Sequence, residues 1–133
     1  MKPKEILHNR KLIRTGCREE IISVITSAEQ ALSEEEIKSK LTGSYDRTTF
    51  YRTFKTLREK EIIHKIVLDN QLVKYALNHE TYSKLRHIHF YCKQCDKVVC
   101  LTEAKIDIPN LPIGFLATEN EIIVKGLCGK CNK

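Results

Sequence analysis

The sequence has no apolar run near the ~20 residues that a membrane-spanning helix requires, and we expect no membrane insertion. It also lacks a Gly-rich phosphate loop and a nucleophile beside a general base, so an enzyme is not expected. The charged residues 1–5 are not followed by the apolar core of a secretory signal. We therefore expect a cytoplasmic protein whose six cysteines are thiols, a setting in which paired cysteines indicate metal before disulfide.

The chain is short and basic. It has 133 residues. If the chain forms two separate folding units, each unit has only a small apolar core, and we expect a further stabilising feature such as a metal site. Its net charge of +6 permits an anionic polymer as partner without requiring one. Residues 1–18 form a basic arm or a solubilising tail, with one acid, Glu5, against Lys2, Lys4, Arg10, Lys11, Arg14 and Arg18.

Apolar spacing predicts three helices in the first 60 residues. The first covers roughly residues 18–29. The second begins at a capping box formed by Ser33 and Glu36, and Gly43 is predicted to end it. The third covers roughly residues 46–60.

The third helix has two chemically different faces. Its apolar side chains, Phe50, Phe54 and Leu57, fall on one side and can pack against the core. The opposite side suits a DNA major groove, where arginine grips phosphate or guanine and tyrosine meets phosphate or a thymine methyl. The alternative is an ordinary solvated face. This predicted DNA-binding face consists of Arg47, Thr48, Tyr51, Arg52 and Lys55.

A hairpin is predicted after the helices. Residues 62–77 are rich in branched apolar side chains on either side of a turn at Asp69 and Asn70. Three helices followed by a hairpin predict a winged helix, in which the hairpin touches DNA beside the third helix. A polar linker follows, and a second unit begins near His87 with the strand candidates HIHFYC, KVVCL and EIIVKGLC and a proline-bearing stretch at 108–112.

Two CxxC pairs give the strongest chemical signal. Each pair follows a predicted strand, as in the knuckles that hold a tetrahedral zinc ion. A redox function is the alternative for one pair, but two pairs in a small unit favour structural zinc. Four sulfur ligands leave no open coordination position, so this zinc is not expected to be catalytic. The predicted ligands are Cys92, Cys95, Cys128 and Cys131.

A second metal site is a further hypothesis. His87 and His89 share one strand face, Cys100 lies on the neighbouring strand, and His64 begins the hairpin. Such a set can bind an exchangeable divalent metal, zinc or iron. The alternatives are a buried hydrophobe for Cys100, a wing residue near phosphate for His64 and surface histidines. Structural or surface roles are expected for the remaining candidates, Cys17, His8 and His79.

The chain resembles the ferric uptake regulator (Fur) family over nearly its whole length. The motifs that carry the resemblance are Thr15-Gly16-Cys17-Arg18, LSEEEIKSKL at 32–41, TTFYRTFKTLREKEII at 48–63, HIHFYCKQC at 87–95 and GLCGKC at 126–131. The resemblance implies an N-terminal winged helix on operator DNA and a C-terminal dimerisation domain held by zinc. It also implies DNA contacts for Tyr51 and Arg52 and a backbone contact for Arg18.

Several positions depart from the family pattern. Ala31 and Ala76 stand where the family usually has a histidine and an acid, and Asn120 replaces a late histidine. His64 matches the zinc-responsive branch, but Tyr75 replaces that branch's wing cysteine. The family's long dimer-domain helix is also shortened here. The identity of the sensed signal and the geometry of the dimer are the two features that these departures affect.

The sequence thus predicts an α+β fold with an N-terminal winged helix-turn-helix domain and a small α/β dimerisation domain containing structural zinc. The predicted parts are a DNA-binding domain at 1–78, a hinge at 79–86 and a dimerisation domain at 87–133. The predicted function is a dimeric, sequence-specific repressor that binds a double-stranded operator and responds to zinc or another divalent metal. The alternatives are a Fur-like regulator with structural zinc only, controlled by redox or a partner, and a zinc-knuckle adaptor for protein or RNA.

Overall fold

The computed structural model describes residues 2–68, 71–78, 87–101, 110–118 and 120–133, and for His87 it describes the backbone alone. The chain divides into two compact units, Met1–Asn78 and His79–Lys133. The predicted hinge at 79–86 lies outside the described residues, as does His79. The functions assigned to the two units remain predictions.

The first unit is a winged helix. Its helices are followed by an antiparallel hairpin in which Ile63 pairs with Leu77 and Val67 with Val73. The predicted turn at Asp69 and Asn70 lies outside the described residues. In chain order the elements are α1 (Pro3–Asn9), α2 (Gly16–Ser27), α3 (Glu34–Ser39), α4 (Arg47–Glu59), β1 (Ile63–Val67) and β2 (Val73–Leu77).

Helix α1 was not predicted, because the many basic residues at 1–18 indicated an arm or a tail. Proline stands at its first position, where the missing amide hydrogen costs no hydrogen bond. Leu7 is completely buried and belongs to the core of the unit. The amino end is therefore partly folded, with its basic side chains carried by a packed helix.

Polar caps fix the starts of the next three helices. Thr15 accepts a hydrogen bond from the amide of Arg18, so α2 begins two residues earlier than predicted. The predicted capping box at Ser33 and Glu36 is confirmed, with both reciprocal hydrogen bonds present. Asp46 accepts from the amide of Thr49 at 2.7 Å and starts α4.

The predicted role of Gly43 was wrong, because α3 already ends at Ser39. Gly43 instead lies against the ring of Tyr45, where an added Cβ would come within 2.5 Å of ring atoms. The carboxylate of Glu20 on α2 accepts hydrogen bonds from Tyr45 Oη at 2.7 Å and from the amide of Gly43 at 3.0 Å. It also accepts from the amide and hydroxyl of Thr42. These contacts, which we call the Glu20 clamp, fix the segment between α3 and α4 to α2.

The core of the first unit joins all its elements. Phe54 stacks against Phe50 and meets the ring of Tyr75 edge-on at 4.6 Å. Backbone hydrogen bonds in both directions between Leu32 and Tyr75 tie the hairpin to the segment before α3. Burial of apolar side chains is the main force that stabilises this core. The fully or almost fully buried side chains are Leu7, Ile21, Ile22, Leu32, Ile37, Phe50, Leu57, Ile62 and Ile63.

The second unit contains a three-stranded sheet of order β4-β3-β5. Strand β3 runs antiparallel to β4 and parallel to β5, and Cys92 is level with Gly126. All three predicted strands are present, as β3 (His87–Cys92), β4 (Val98–Cys100) and β5 (Glu121–Gly126). Part of the proline-bearing stretch lies outside the described residues, and the chain turns just after this stretch at Gly114, whose φ is 91°.

Candidate metal centre and nucleic-acid interface

The four predicted zinc ligands lie at one end of the three-stranded sheet. Because β3 and β5 are parallel neighbours, their carboxyl ends lie side by side. Cys92 closes β3 and Cys128 follows β5 by two residues, and the second cysteine of each pair lies in the turn that follows. Sheet register therefore brings together two knuckles that are more than thirty residues apart in sequence.

The sulfur atoms have the spacing of a tetrahedral site. All four Sγ atoms lie within 4.8 Å of one another, and Cys95 Sγ is 3.8 Å from Cys128 Sγ. Zinc–sulfur bonds of about 2.3 Å in a tetrahedron place sulfurs roughly 3.8 Å apart, so this set fits a zinc ion with little adjustment. Cys92 is fully buried, whereas Cys95 is exposed at the rim.

Main-chain amides stabilise the thiolate form of two of the four cysteines. Hydrogen bonds from the amide of Cys95 and its neighbours lower the pKa of Cys92 to about 6. The amide of Cys131 likewise lowers the pKa of Cys128. The hydrogen bond to the Cys128 sulfur raises the pKa of Cys131 to about 12, because it stabilises the protonated Cys131 thiol, and the charge of Cys128 adds a smaller repulsion. A divalent cation removes that repulsion and allows all four to ionise.

The second predicted site is only partly placed by the structure. His89 on β3 lies opposite Cys100 on β4 and is completely buried. Burial raises the pKa of Cys100 to about 11, so this thiol needs a nearby cation to ionise near neutral pH. His87 begins β3, and His64 lies in the first unit with its Nδ1 beside Asn78 Oδ1. A site formed by all four residues stays a prediction.

Two other candidates from the sequence have ordinary surroundings. Cys17 is buried in the first unit, and desolvation raises the pKa of its thiol, as expected of a structural cysteine. His8 is exposed on α1. Ala31 and Ala76, which replace usual family ligands, are buried.

The predicted DNA-binding face of α4 is solvent-exposed along its length. Phe50, Phe54 and Leu57 are buried on the other side of the helix, as the pattern predicted. Lys55 makes a loose, exposed ion pair with Glu59 at 3.8 Å. The exposed set is Arg47, Thr48, Tyr51, Arg52 and Lys55.

Arg18 and Glu20 both make contacts that hold segments next to α2. The guanidinium of Arg18 donates to the carbonyl of Ile13 at 2.7 Å and is half-buried, so it also holds the segment before α2. Sequence reasoning missed Glu20, whose hydrogen bonds lower its pKa to about 2, with that to Tyr45 the largest cause. No local pattern marks it, because its partners lie 22 to 25 residues away.

A winged helix with an exposed basic helix, followed by a unit with a four-cysteine site, defines a DNA-binding transcription regulator rather than an enzyme. No helix in the described part of the chain is long and apolar enough to span a membrane. The sequence model of the ferric uptake regulator family matches residues 9–112, and the chain belongs to this family. The predicted family, fold class and non-enzymatic function are confirmed.

Similar proteins agree with this assignment. The ferric uptake regulation protein of Campylobacter jejuni is 26% identical over 138 residues, which cover 97% of this chain and 85% of that protein. The ferric uptake regulator of Vibrio cholerae has a TM-score of 0.64 at 18% identity, covering 94% of this chain and 98% of the other. A zinc uptake regulator solved with zinc and DNA has a TM-score of 0.67 at 21% identity, covering 97% and 89%.

Proposed function

We propose that this chain is a dimeric, zinc-containing repressor that binds double-stranded operator DNA through α4 in a bacterial cytoplasm. The observation that carries the proposal is the division of α4 into a buried apolar face and an exposed basic face within a winged helix. A recognition helix needs this division, because it must pack on its own domain while it offers side chains to the major groove.

The roles of the α4 side chains follow from their chemistry. Arg47 and Arg52 can each donate two hydrogen bonds to a phosphate or a guanine, and Lys55 adds a mobile charge. Thr48 and Tyr51 supply hydroxyl groups and apolar surface for phosphate or a thymine methyl. A dimer would repeat the set on two half-sites and account for a palindromic operator.

The four-cysteine site is proposed to hold structural zinc. Cys92, Cys95, Cys128 and Cys131 occupy all four positions of a tetrahedral ion, so the ion has no place for substrate or water. Its contribution is to join the turns after β3 and β5, which fixes the end of the sheet in the proposed dimerisation domain.

Metal response is proposed to reside in a second site that includes His89 and Cys100. Their facing positions on β3 and β4 give two ligand types that zinc accepts, and iron is the alternative ion. His64 and His87 are the further ligands that the sequence predicts. The raised pKa of Cys100 and the apolar Ala31 and Ala76 favour the second candidate, a regulator with structural zinc only.

Metal-dependent DNA binding separates these two candidates. The probe is a duplex that the wild-type protein selects from a random-sequence pool, and its affinity is measured while zinc or iron is titrated. Metal content per chain is measured on the same protein. A sensor should gain a second, chelator-labile metal and bind the duplex more tightly with it.

Variants of the proposed ligands test which residues bind the second metal. His89→Gln and Cys100→Ser should abolish the second metal and the metal response while retaining the first zinc. His8→Gln, at an exposed site, is the matched control. One metal per chain and a metal-independent affinity would support structural zinc only, and failure to select any duplex would favour an adaptor for protein or RNA.

A further inference from the structure

The ring of Tyr51 is within cation–π distance of two cations from different helices. Lys38 Nζ on α3 is 5.0 Å from the centre of the ring, and the guanidinium carbon of Arg47 on α4 is 5.6 Å from it. Tyr51 is itself held edge-on against the buried ring of Phe50, with centroids 5.4 Å apart. Lys38 also approaches the Phe50 ring, at 5.4 Å. Lys38 lies outside the recognition helix and is not among the predicted DNA-binding residues.

These two cations have no carboxylate partner within ion-pair distance in the described part of the chain. Lys74, by contrast, meets Glu36 at 2.5 Å, and Arg14 pairs with Glu19. Two like charges over one exposed ring repel each other, and the ring offsets only part of that repulsion. An anion between them would remove the repulsion, so the group is electrostatically suited to bind one.

The position of Lys38, Arg47 and Tyr51 in the fold indicates which kind of anion they bind. Arg47 is the first residue of α4, where the helix dipole also favours negative charge. Asp46 already caps the amide of Thr49, so an added anion would be held by side chains more than by main-chain amides. The group lies at one end of the exposed basic face, next to Arg52 and Thr48. A phosphate of the DNA backbone is therefore the anion expected beside Lys38, Arg47 and Tyr51.

We propose that Lys38, Arg47 and Tyr51 form one phosphate-binding site that fixes the amino end of α4 on the DNA backbone. This inference rests on the proposed function. Lys38 and Arg47 supply charge from two helices, and the Tyr51 hydroxyl can donate a hydrogen bond to the same phosphate. Because Lys38 comes from α3, the site also ties the orientation of α3 and α4 to the position of the backbone. It sets docking rather than sequence preference.

The test compares Lys38→Gln with Lys38→Arg and with Lys40→Gln. Lys40 is an exposed lysine two residues further along, with no aromatic contact among the described residues, and it is the matched control. Each full-length protein is titrated with the selected duplex and with a scrambled duplex at several salt concentrations. Lys38→Gln should weaken binding to both duplexes by about three- to tenfold at low salt. It should also lower the magnitude of the salt slope by roughly 0.9, as for one phosphate contact.

Lys38→Arg should restore both the affinity and the slope, and Lys40→Gln should change neither by a comparable amount. The double variant Lys38→Gln, Arg47→Gln should lose less than the sum of the two single losses, because both side chains serve one phosphate. Equal effects of Lys38→Gln and Lys40→Gln would overturn the proposal, as would additive losses in the double variant.

Two checks separate this inference from other failures. If the wild-type protein selects no duplex, the proposed function itself fails. If Lys38→Gln unfolds at a lower urea concentration than the wild type, NMR of the wild-type protein decides. In that case the Tyr51 ring and Lys38 side-chain signals should shift on addition of the duplex, and unchanged signals would overturn the site.

Discussion

The two units of this chain are stabilised in different ways. The first unit has an apolar core that joins its helices to the hairpin, including the fully buried Leu7, Ile21 and Leu57. In the described part of the second unit, the buried side chains are few: Ile88, Cys92, Val98 and the polar His89. Its clearest organising feature is the four-sulfur cluster. From this comparison we expect the first unit to fold through apolar burial alone and the second unit to require a bound metal ion.

The largest expected effect is the loss of zinc from the second unit. Structural zinc contributes on the order of 10 kcal/mol to folding in small modules, so a strong chelator or Cys128→Ser should unfold this unit. The first unit should remain folded, because none of its core residues is a predicted ligand. Limited proteolysis should then leave a resistant fragment near residues 1–78.

Cys17→Ala is the control, since it removes a buried thiol outside the cluster. It should keep zinc content and protease resistance of the second unit unchanged. A second unit that stays protected after complete zinc removal would contradict the comparison.

A cavity in the first unit should give the converse result. Leu57 is completely buried, and Leu57→Ala should lower the free energy of unfolding of the first unit by about 2–5 kcal/mol. Zinc content should be unchanged. Urea denaturation followed by NMR signals of α2 measures the loss, and Val67→Ala on the half-exposed Val67 is the matched control. A loss of zinc in Leu57→Ala would show that the units do not fold independently.

The smallest expected effect is the pH response of the Glu20 clamp. Hydrogen bonds lower the pKa of Glu20 from 4.5 to about 2 in the folded protein. The ionised Glu20 carboxylate therefore makes its full contribution to the free energy of unfolding above pH 4.5, and this contribution is lost as the pH falls towards 2. Glu20→Gln should lower stability near neutral pH and flatten its decline in this acid range.

The measurement is urea unfolding of α2 signals at a series of pH values, which follows the first unit even where acid releases zinc. Glu59→Gln is the control, because Glu59 forms an exposed ion pair with Lys55 and lies outside the Glu20 clamp. Identical pH profiles for Glu20→Gln and the wild type would show that the clamp contributes no stability.

The sequence predicted those features that depend on nearby residues. The faces of α4 follow from helical spacing, and the capping box of α3 from residues three positions apart. The two CxxC pairs were recognisable because each knuckle is local, and the presence of two pairs in one small unit predicted a shared four-sulfur zinc site. Local patterns could not show what depends on distant contacts: the packing of α1 through Leu7, the clamp on Gly43, or Lys38 over Tyr51.

Parallel pairing of β3 and β5 with a thiol cluster at their common end has a consequence for how this chain can vary. Once the two strand ends are joined, the segment between β4 and β5 is a closed loop whose ends are held by the sheet and the metal. Doubling the length of such a loop costs only about 0.6 kcal/mol in closure entropy. We therefore expect insertions between Cys100 and Glu121 to be tolerated while the strands and cysteines keep their register.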